Sequence, residues 1–323
     1  MVKIDIISGF LGAGKTTLIK KLLKDGFQGE QVVLIENEFG EIGIDGGFLK
    51  EAGIQIREMN SGCICCSLVG DFGTSLKEVV TKYDPDRILI EPSGVGKLSD
   101  VIKAVQGVQD EVDIKLNSYT TVVDAKKCKM YMKNVGEFFD NQIQYAGAII
   151  MSRTDIASEK KVQESLELLR SLNKDAAIIT TPIENLDGKK LVEVMEHPVS
   201  LEQEMLEEEH EHHHHHDGEC GCGHDHHHHH ADEVFTSWGR ETIKKYTREG
   251  LEKILEALSE SDKYGIILRA KGMLPAEDGT WIYFDMVPEE TEIREGAPEY
   301  TGRLCVIGSK LDEHALEELF GIA

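Results

Sequence analysis

The chain has 323 residues, 40% of them hydrophobic, enough for one large domain and a smaller one around separate cores. Its formal net charge of −24 repels phosphate backbones and anionic lipid surfaces, which argues against nucleic acid and membranes as partners. Seven cysteines, three of them within four positions, fit metal or redox chemistry better than a disulfide framework. The opening residues MVKIDIISGF hold one lysine and lead directly into a glycine-rich motif, and no run of 18 apolar residues follows. A cytoplasmic protein without a signal peptide is expected.

In chain order, apolar runs at 2–7, 32–35, 54–58, 87–91, 119–124, 146–151 and 176–180 predict buried strands. Helical periodicity falls between them at 15–24, 72–82, 99–106, 137–145, 159–172 and 188–195. Strands alternating with helices imply right-handed crossovers and a mainly parallel sheet covered on both faces. The predicted class is α/β, a P-loop nucleotide-binding domain over 1–205. Residues 206–233 are acidic and rich in His and Cys, cannot bury enough surface to order themselves, and read as a flexible linker. Periodicity returns in 234–323, with a helix expected at 239–259, strands at 264–270, 281–287 and 303–307, and a helix at 311–320, a small α+β domain.

Gly9-Phe10-Leu11-Gly12-Ala13-Gly14-Lys15-Thr16 fits G-x-x-x-x-G-K-[ST] after a predicted strand and before a predicted helix, the context a phosphate loop needs. Gly9, Gly12, Ala13 and Gly14 would offer backbone N–H groups to phosphates. Lys15 would pair with the β and γ phosphates, Thr16 would supply a hydroxyl to Mg²⁺, and Thr17 would donate to the α phosphate. The strand at 87–91 ends in Glu91, a second oxygen donor for Mg²⁺, and Gly94 three residues on can give its N–H to the γ phosphate. After 146–151 comes Ser152-Arg153-Thr154-Asp155, where a GTPase normally carries Asn-Lys-x-Asp. The Asp155 carboxylate can accept from guanine N1–H and the exocyclic amine, which favours GTP over ATP. Arg153 can lay its stem over the base.

Cys63, Cys65 and Cys66 bring soft thiolates together ahead of a predicted helix, a donor set for Zn²⁺, Co²⁺ or a similar ion. Two or three sulfurs can meet one ion, and a tetrahedral site then takes a ligand from elsewhere or keeps an open position, the second of which suits transfer. Buried structural cysteines, a redox sensor and a static zinc site are the competing readings. A second tract carries His210, His212, His213, His214, His215, His216, Cys220, Cys222, His224, His226, His227, His228, His229 and His230, suited to capturing or storing a transition metal. A purification tag would sit at a terminus and would not be interrupted by Gly-Glu-Cys-Gly-Cys-Gly. Cys128 and Cys305 are expected in the core, His197 and His314 at the surface, and Trp238, Trp281, Tyr283 and Phe284 in the packing of the second domain.

Gly9 to Thr17 (GFLGAGKTT), Ile35 to Gly46 (IENEFGEIGIDG), Gly62 to Cys66 (GCICC), Glu91 to Gly94 and Val122 to Ala125 (VVDA) together resemble the CobW-type family of metal-chaperone GTPases. Arg269 to Gly272 and Val306 to Gly308 look like that family's C-terminal domain. The resemblance implies a switch formed by Glu38, Phe39, Gly40 and Asp45, with Glu38 touching Mg²⁺ or the cysteine-bound metal. It also implies that Cys63, Cys65 and Cys66 hold a transferable ion coupled to the nucleotide. The function so implied is a slow GTPase that takes GTP, Mg²⁺ and Zn²⁺ or Co²⁺ and delivers the transition metal to a client metalloprotein. Three alternatives stand beside it: a metal buffer working through the His tract, a redox-regulated GTPase, and an accessory factor for cobalamin synthesis or nitrile hydratase. Self-association is left open.

Overall fold

A computed structural model of the chain describes residues 1–36, 55–58, 69–109, 111–198, 236–287 and 290–322, with the backbone alone for 55–58, 69–72, 75 and 262. The chain divides into two compact units, Met1–Pro198 and Val199–Ala323.

In the first unit, β1 (Val2–Gly9), β2 (Val32–Glu36), β3 (Gln55–Glu58), β4 (Arg87–Glu91), β5 (Ile114–Asp124), β6 (Ala148–Ser152) and β7 (Ala177–Ile179) form one sheet in the order β3-β2-β4-β1-β5-β6-β7. Every neighbouring pair is parallel. The helices are α1 (Lys15–Lys21), which runs on into a π-helical turn Leu22–Gly26, then α2 (Val69–Tyr83), α3 (Leu98–Val108), α4 (Cys128–Gln144), α5 (Glu159–Leu172) and α6 (Gly188–Glu196). The central strands are largely apolar because both faces are covered: Ile4, Ile6, Ile7, Val33, Leu34, Ile35, Ile88, Leu89 and Ile90 are fully buried. Cutting any one of these isoleucines or leucines to alanine would cost about 2–5 kcal/mol.

A buried ion cluster sits in this unit away from the strand ends that carry the phosphate loop. Arg87, 1% exposed, donates to Asp5, to Glu30 at 2.6 Å and to Glu196 at 2.9 Å, and its guanidinium lies 4.2 Å from the Phe27 ring centroid. Asp5 in turn accepts from Asn117 at 2.8 Å and Ser118 at 2.6 Å. The cluster ties β1, β4, β5 and the end of α6 together.

The second unit holds β8 (Thr236–Thr242), α7 (Arg248–Glu260), β9 (Ile266–Pro275), β10 (Trp281–Val287), β11 (Glu290–Gly296), β12 (Gly302–Ser309) and α8 (Glu313–Phe320). Its strands form an antiparallel sheet in the order β11-β10-β9-β12-β8. Alternate strand residues such as Trp238, Leu274, Phe284 and Val306 share a core with Leu251, Leu255, Leu316 and Phe320 of the helices.

Several expectations change here, among them the strand expected at 264–270, which runs from Ile266 to Pro275. The helix expected at 239–259 begins only at Arg248, capped by Thr247, whose side chain accepts from Gly250 N–H, and 236–242 is strand. Trp238, Arg240 and Thr242 repeat with period two, and Trp238 pairs with Val306 across β8 and β12. Strand β11 was not foreseen because Ile293 is the one apolar residue in ETEIREG, an edge strand with mostly exposed side chains. Strand β5 starts five residues before the expected 119, since Lys115 and Asn117 interrupt its apolar pattern. Helix α4 starts at Cys128 rather than 137 and contains a non-helical residue, Val135, just before Gly136.

Candidate nucleotide site

The end of β1 and the start of α1 carry the phosphate loop, and its glycines are required by the backbone. Gly9, Gly12 and Gly14 have φ values of 142°, 70° and 108°, outside the regions open to most L-residues. A Cβ on Gly9 would also lie 2.5 Å from the carbonyl oxygen of Val122, its partner on β5. Ala13 N–H closes the loop on Phe10 O at 3.1 Å. Lys15 is 9% exposed, and its ammonium donates to Gly9 O at 3.1 Å and stands 3.7 Å from Glu91 Oε1. The cation is thus aimed across the loop, held by oxygens that phosphate oxygens can replace. Thr16 is half-buried and Thr17 exposed in the first turn of α1. Thr16 and Glu91 offer a hydroxyl and a carboxylate beside this loop, the hard oxygen donors that suit Mg²⁺.

Glu91 ends β4 next to β1. The backbone register places Glu36 opposite Glu91 and Glu58 opposite Glu36, so three neighbouring strands end in glutamate. Residues Ser93 to Gly96 then turn, with Gly96 N–H donating to Ser93 O at 2.9 Å. Gly94 is buried, and a Cβ there would lie 2.9 Å from the backbone nitrogen of Leu11, so the turn abuts the phosphate loop directly.

On the other flank, Ser152 closes β6 and its hydroxyl donates to Ala13 O at 2.6 Å, bracing the loop from behind. Arg153 has a left-handed φ of 60°. Its guanidinium binds the buried Asp124 carboxylate and donates to Gly12 O at 3.0 Å. Asp155 is exposed at the same strand end. Lys15, Thr16, Thr17, Glu91 and Gly94 therefore meet at one edge of the sheet, with Arg153 and Asp155 beside them.

Glu38, Phe39, Gly40, Asp45, Cys63, Cys65, Cys66 and the tract from His210 to His230 lie outside the described residues. Cys128 and Cys305 are buried. Burial is the main effect that pushes the Cys128 thiol up to about 11, which suits a core residue rather than a thiolate ligand. Trp238, Trp281 and Phe284 are buried, His314 is exposed, and His197 caps α6. Among the described residues there is no cluster of three metal-ligating side chains and no helix long and apolar enough to cross a membrane.

Two residues of this edge carry no assigned role in the sequence reading. Asp124 ends β5 in register with Ser152, so its closeness to Arg153 follows from pairing β5 with β6, which residue order alone does not show. Gln142 reaches the Gly94 turn from α4, 48 positions away in the chain.

Several known proteins are similar. The zinc chaperone YeiR of Escherichia coli (strain K12) is 29% identical over 191 residues, covering 59% of this chain and 58% of that protein. The zinc chaperone CobW of Sinorhizobium sp is 31% identical over 179 residues, covering 47% and 50% respectively. The chain thus spans between half and three-fifths of the length of these relatives. Zinc-regulated GTPase metalloprotein activator 1 of Schizosaccharomyces pombe is 24% identical over 333 residues, covering 90% of this chain and 76% of that protein. The crystal structure of Zn(II)-bound YjiA GTPase from E. coli aligns over 99% of this chain and 98% of that one, at 21% identity and a TM-score of 0.43. Residues 3–180 match the CobW/HypB/UreG nucleotide-binding domain and residues 235–322 the cobalamin synthesis protein CobW C-terminal domain, and the chain belongs to this family.

Proposed function

We propose that the chain is a GTP-hydrolysing metallochaperone that binds a transition-metal ion, zinc first among the candidates, and passes it to a client protein. The observation that carries the reading is the phosphate edge: left-handed glycines, Lys15 folded onto Gly9 O, and Glu91 3.7 Å from its ammonium. Zinc is favoured because relatives are named zinc chaperones or a zinc-regulated GTPase.

Lys15 neutralises phosphate charge, and the N–H groups of Gly12, Ala13, Gly14 and Thr17 surround the phosphates. Thr16 and Glu91 would hold Mg²⁺, which would supply positive charge to the phosphates. Asp155 accepts from guanine, while Arg153, tied to Asp124 and Gly12, forms the wall of the base site. Ser152 braces the loop where an Asn amide would also contact the base, which leaves Asp155 as the main group, among the described residues, that selects guanine. Cys63, Cys65 and Cys66, with Glu38, hold the cargo ion, and the nucleotide governs its release. The tract His210–His230 serves as a loose metal reservoir. Cytoplasm is the compartment that suits a thiolate cargo site.

Among the described residues of the edge none stands as a general base, so turnover should be slow, about 10⁻⁴ to 10⁻² s⁻¹ as in GTPases without a supplied activator. Phosphate release from GTP and from ATP tests the reading. GTP hydrolysis that exceeds ATP hydrolysis and disappears in Lys15→Ala is expected. Equal release by Lys15→Ala would remove the reading.

A further inference from the structure

One helix touches both loops of the nucleotide site. Helix α4 is broken at Val135, where φ and ψ are −137° and 31°. Ahead of the break, the Tyr131 ring lies 4.5 Å, centroid to centroid, from Phe10 of the phosphate loop. Beyond it, the helix grips the segment after β4. Gln142 Nε2 donates to Gly94 O at 3.1 Å and to Gly96 O at 2.9 Å. Asn141 accepts from Ser99 N–H at 3.2 Å and donates to Ser99 Oγ at 3.0 Å, and Glu137 accepts from Lys97 at 2.6 Å.

Gln142 is the unusual member. It is fully buried, where a leucine or methionine would pack without a desolvation cost. Its amide serves the turn: the two donors go to Gly94 and Gly96, and Oε1 has no hydrogen-bond partner among the described residues. Leaving a buried acceptor unpaired is costly. That cost falls at the turn whose Gly94 abuts Leu11 of the phosphate loop. With the Gly94 and Gly96 carbonyls tied to α4, the turn keeps one orientation and its opposite side stays toward the loop.

We infer that Gln142 is a positioning residue for the terminal phosphate: it holds turn 93–96 so that the Gly94 backbone meets the γ-phosphate of bound GTP. The inference rests on the GTP reading proposed above. It separates two tasks within the site. The phosphate loop binds any guanine nucleotide, whereas the turn held by Gln142 distinguishes a triphosphate from a diphosphate.

The test uses the full chain with Gln142→Glu, which keeps the length but offers no amide donor, and Gln142→Met, which keeps the volume without charge. Affinities are measured for GDP and for the β,γ-imido analogue of GTP, with melting curves and the kcat and KM of GTP hydrolysis. The expected result is GDP affinity within about twofold of the unaltered chain and an analogue-to-GDP affinity ratio lowered about tenfold or more. A fall in kcat should accompany it. An unchanged ratio in the folded Gln142→Met chain overturns the inference, and so does unfolding of both variants, since the amide would then serve packing. If the unaltered chain binds neither nucleotide, the GTP reading fails and this inference with it. If it binds both and the ratio does not respond, the inference alone fails.

Discussion

Gly9 is a fixed glycine of the motif and Gly12 fills one of its open positions; both have positive φ, yet the structure assigns them different costs. At Gly12, φ is 70° and a Cβ would meet nothing within 4 Å, so Gly12→Ala carries only the left-handed penalty of about 1–2 kcal/mol. At Gly9, φ is 142° and the Cβ would lie 2.5 Å from Val122 O and 3.1 Å from Val122 N. Those atoms belong to a paired strand and cannot turn aside as a side chain could. Overpacking adds about 1–3 kcal/mol, so Gly9→Ala should cost about 2–5 kcal/mol in total. The assay is urea denaturation followed by far-ultraviolet circular dichroism. Both tryptophans, Trp238 and Trp281, belong to the second unit, so their fluorescence serves as an internal reference that should stay in place. A larger loss for Gly9→Ala than for Gly12→Ala, at unchanged slope, is expected. Equal losses would refute the argument from close approach of β1 to β5.

Three further outcomes follow from named contacts. Arg87→Met leaves Asp5 buried without its cation and should destabilise the first unit by about 3–5 kcal/mol in the same denaturation assay. Burial pushes the Glu196 carboxyl up, but hydrogen bonds from Asn117 and Arg87 and the charges of Arg87 and Lys3 outweigh it and hold the group below the usual carboxylate range. Its contribution is therefore present above the unfolded value of about 4.3 and is lost as pH falls through the lower folded value, so Glu196→Gln should flatten the acid limb of stability against pH. Asp155→Asn should weaken GTP about tenfold or more while leaving ATP unchanged, measured by competition binding.

What the sequence disclosed was local. The phosphate loop needs only nine consecutive residues, and β1, β4 and β6 stand out because a parallel strand covered on both faces is mostly apolar along its length rather than at alternate positions. The hidden features depend on distant pairing. Asp124 meets Arg153 only because β5 lies beside β6, and Gln142 meets Gly94 only because α4 packs over the turn after β4. Polar strands were hidden for the opposite reason. In β11, exposure lets Glu290, Glu292 and Glu295 replace the apolar signal, while in β8 the residues facing the core are Trp238 and Thr242, with Arg240 paired to Glu317 of α8. Helix α4 was read as a short segment because Lys133, Asn134 and Gly136 break its periodicity around Val135.

The proposed coupling of nucleotide to metal runs through Cys63, Cys65 and Cys66. A competitive Zn²⁺ titration of the chain lacking 210–230, with GDP, with the imido analogue of GTP and without nucleotide, tests it most directly. The account predicts one tight site whose affinity differs between the two nucleotides by about tenfold or more and which disappears in Cys65→Ala. Zinc affinity that is the same in all three conditions, or unchanged by Cys65→Ala, would contradict it.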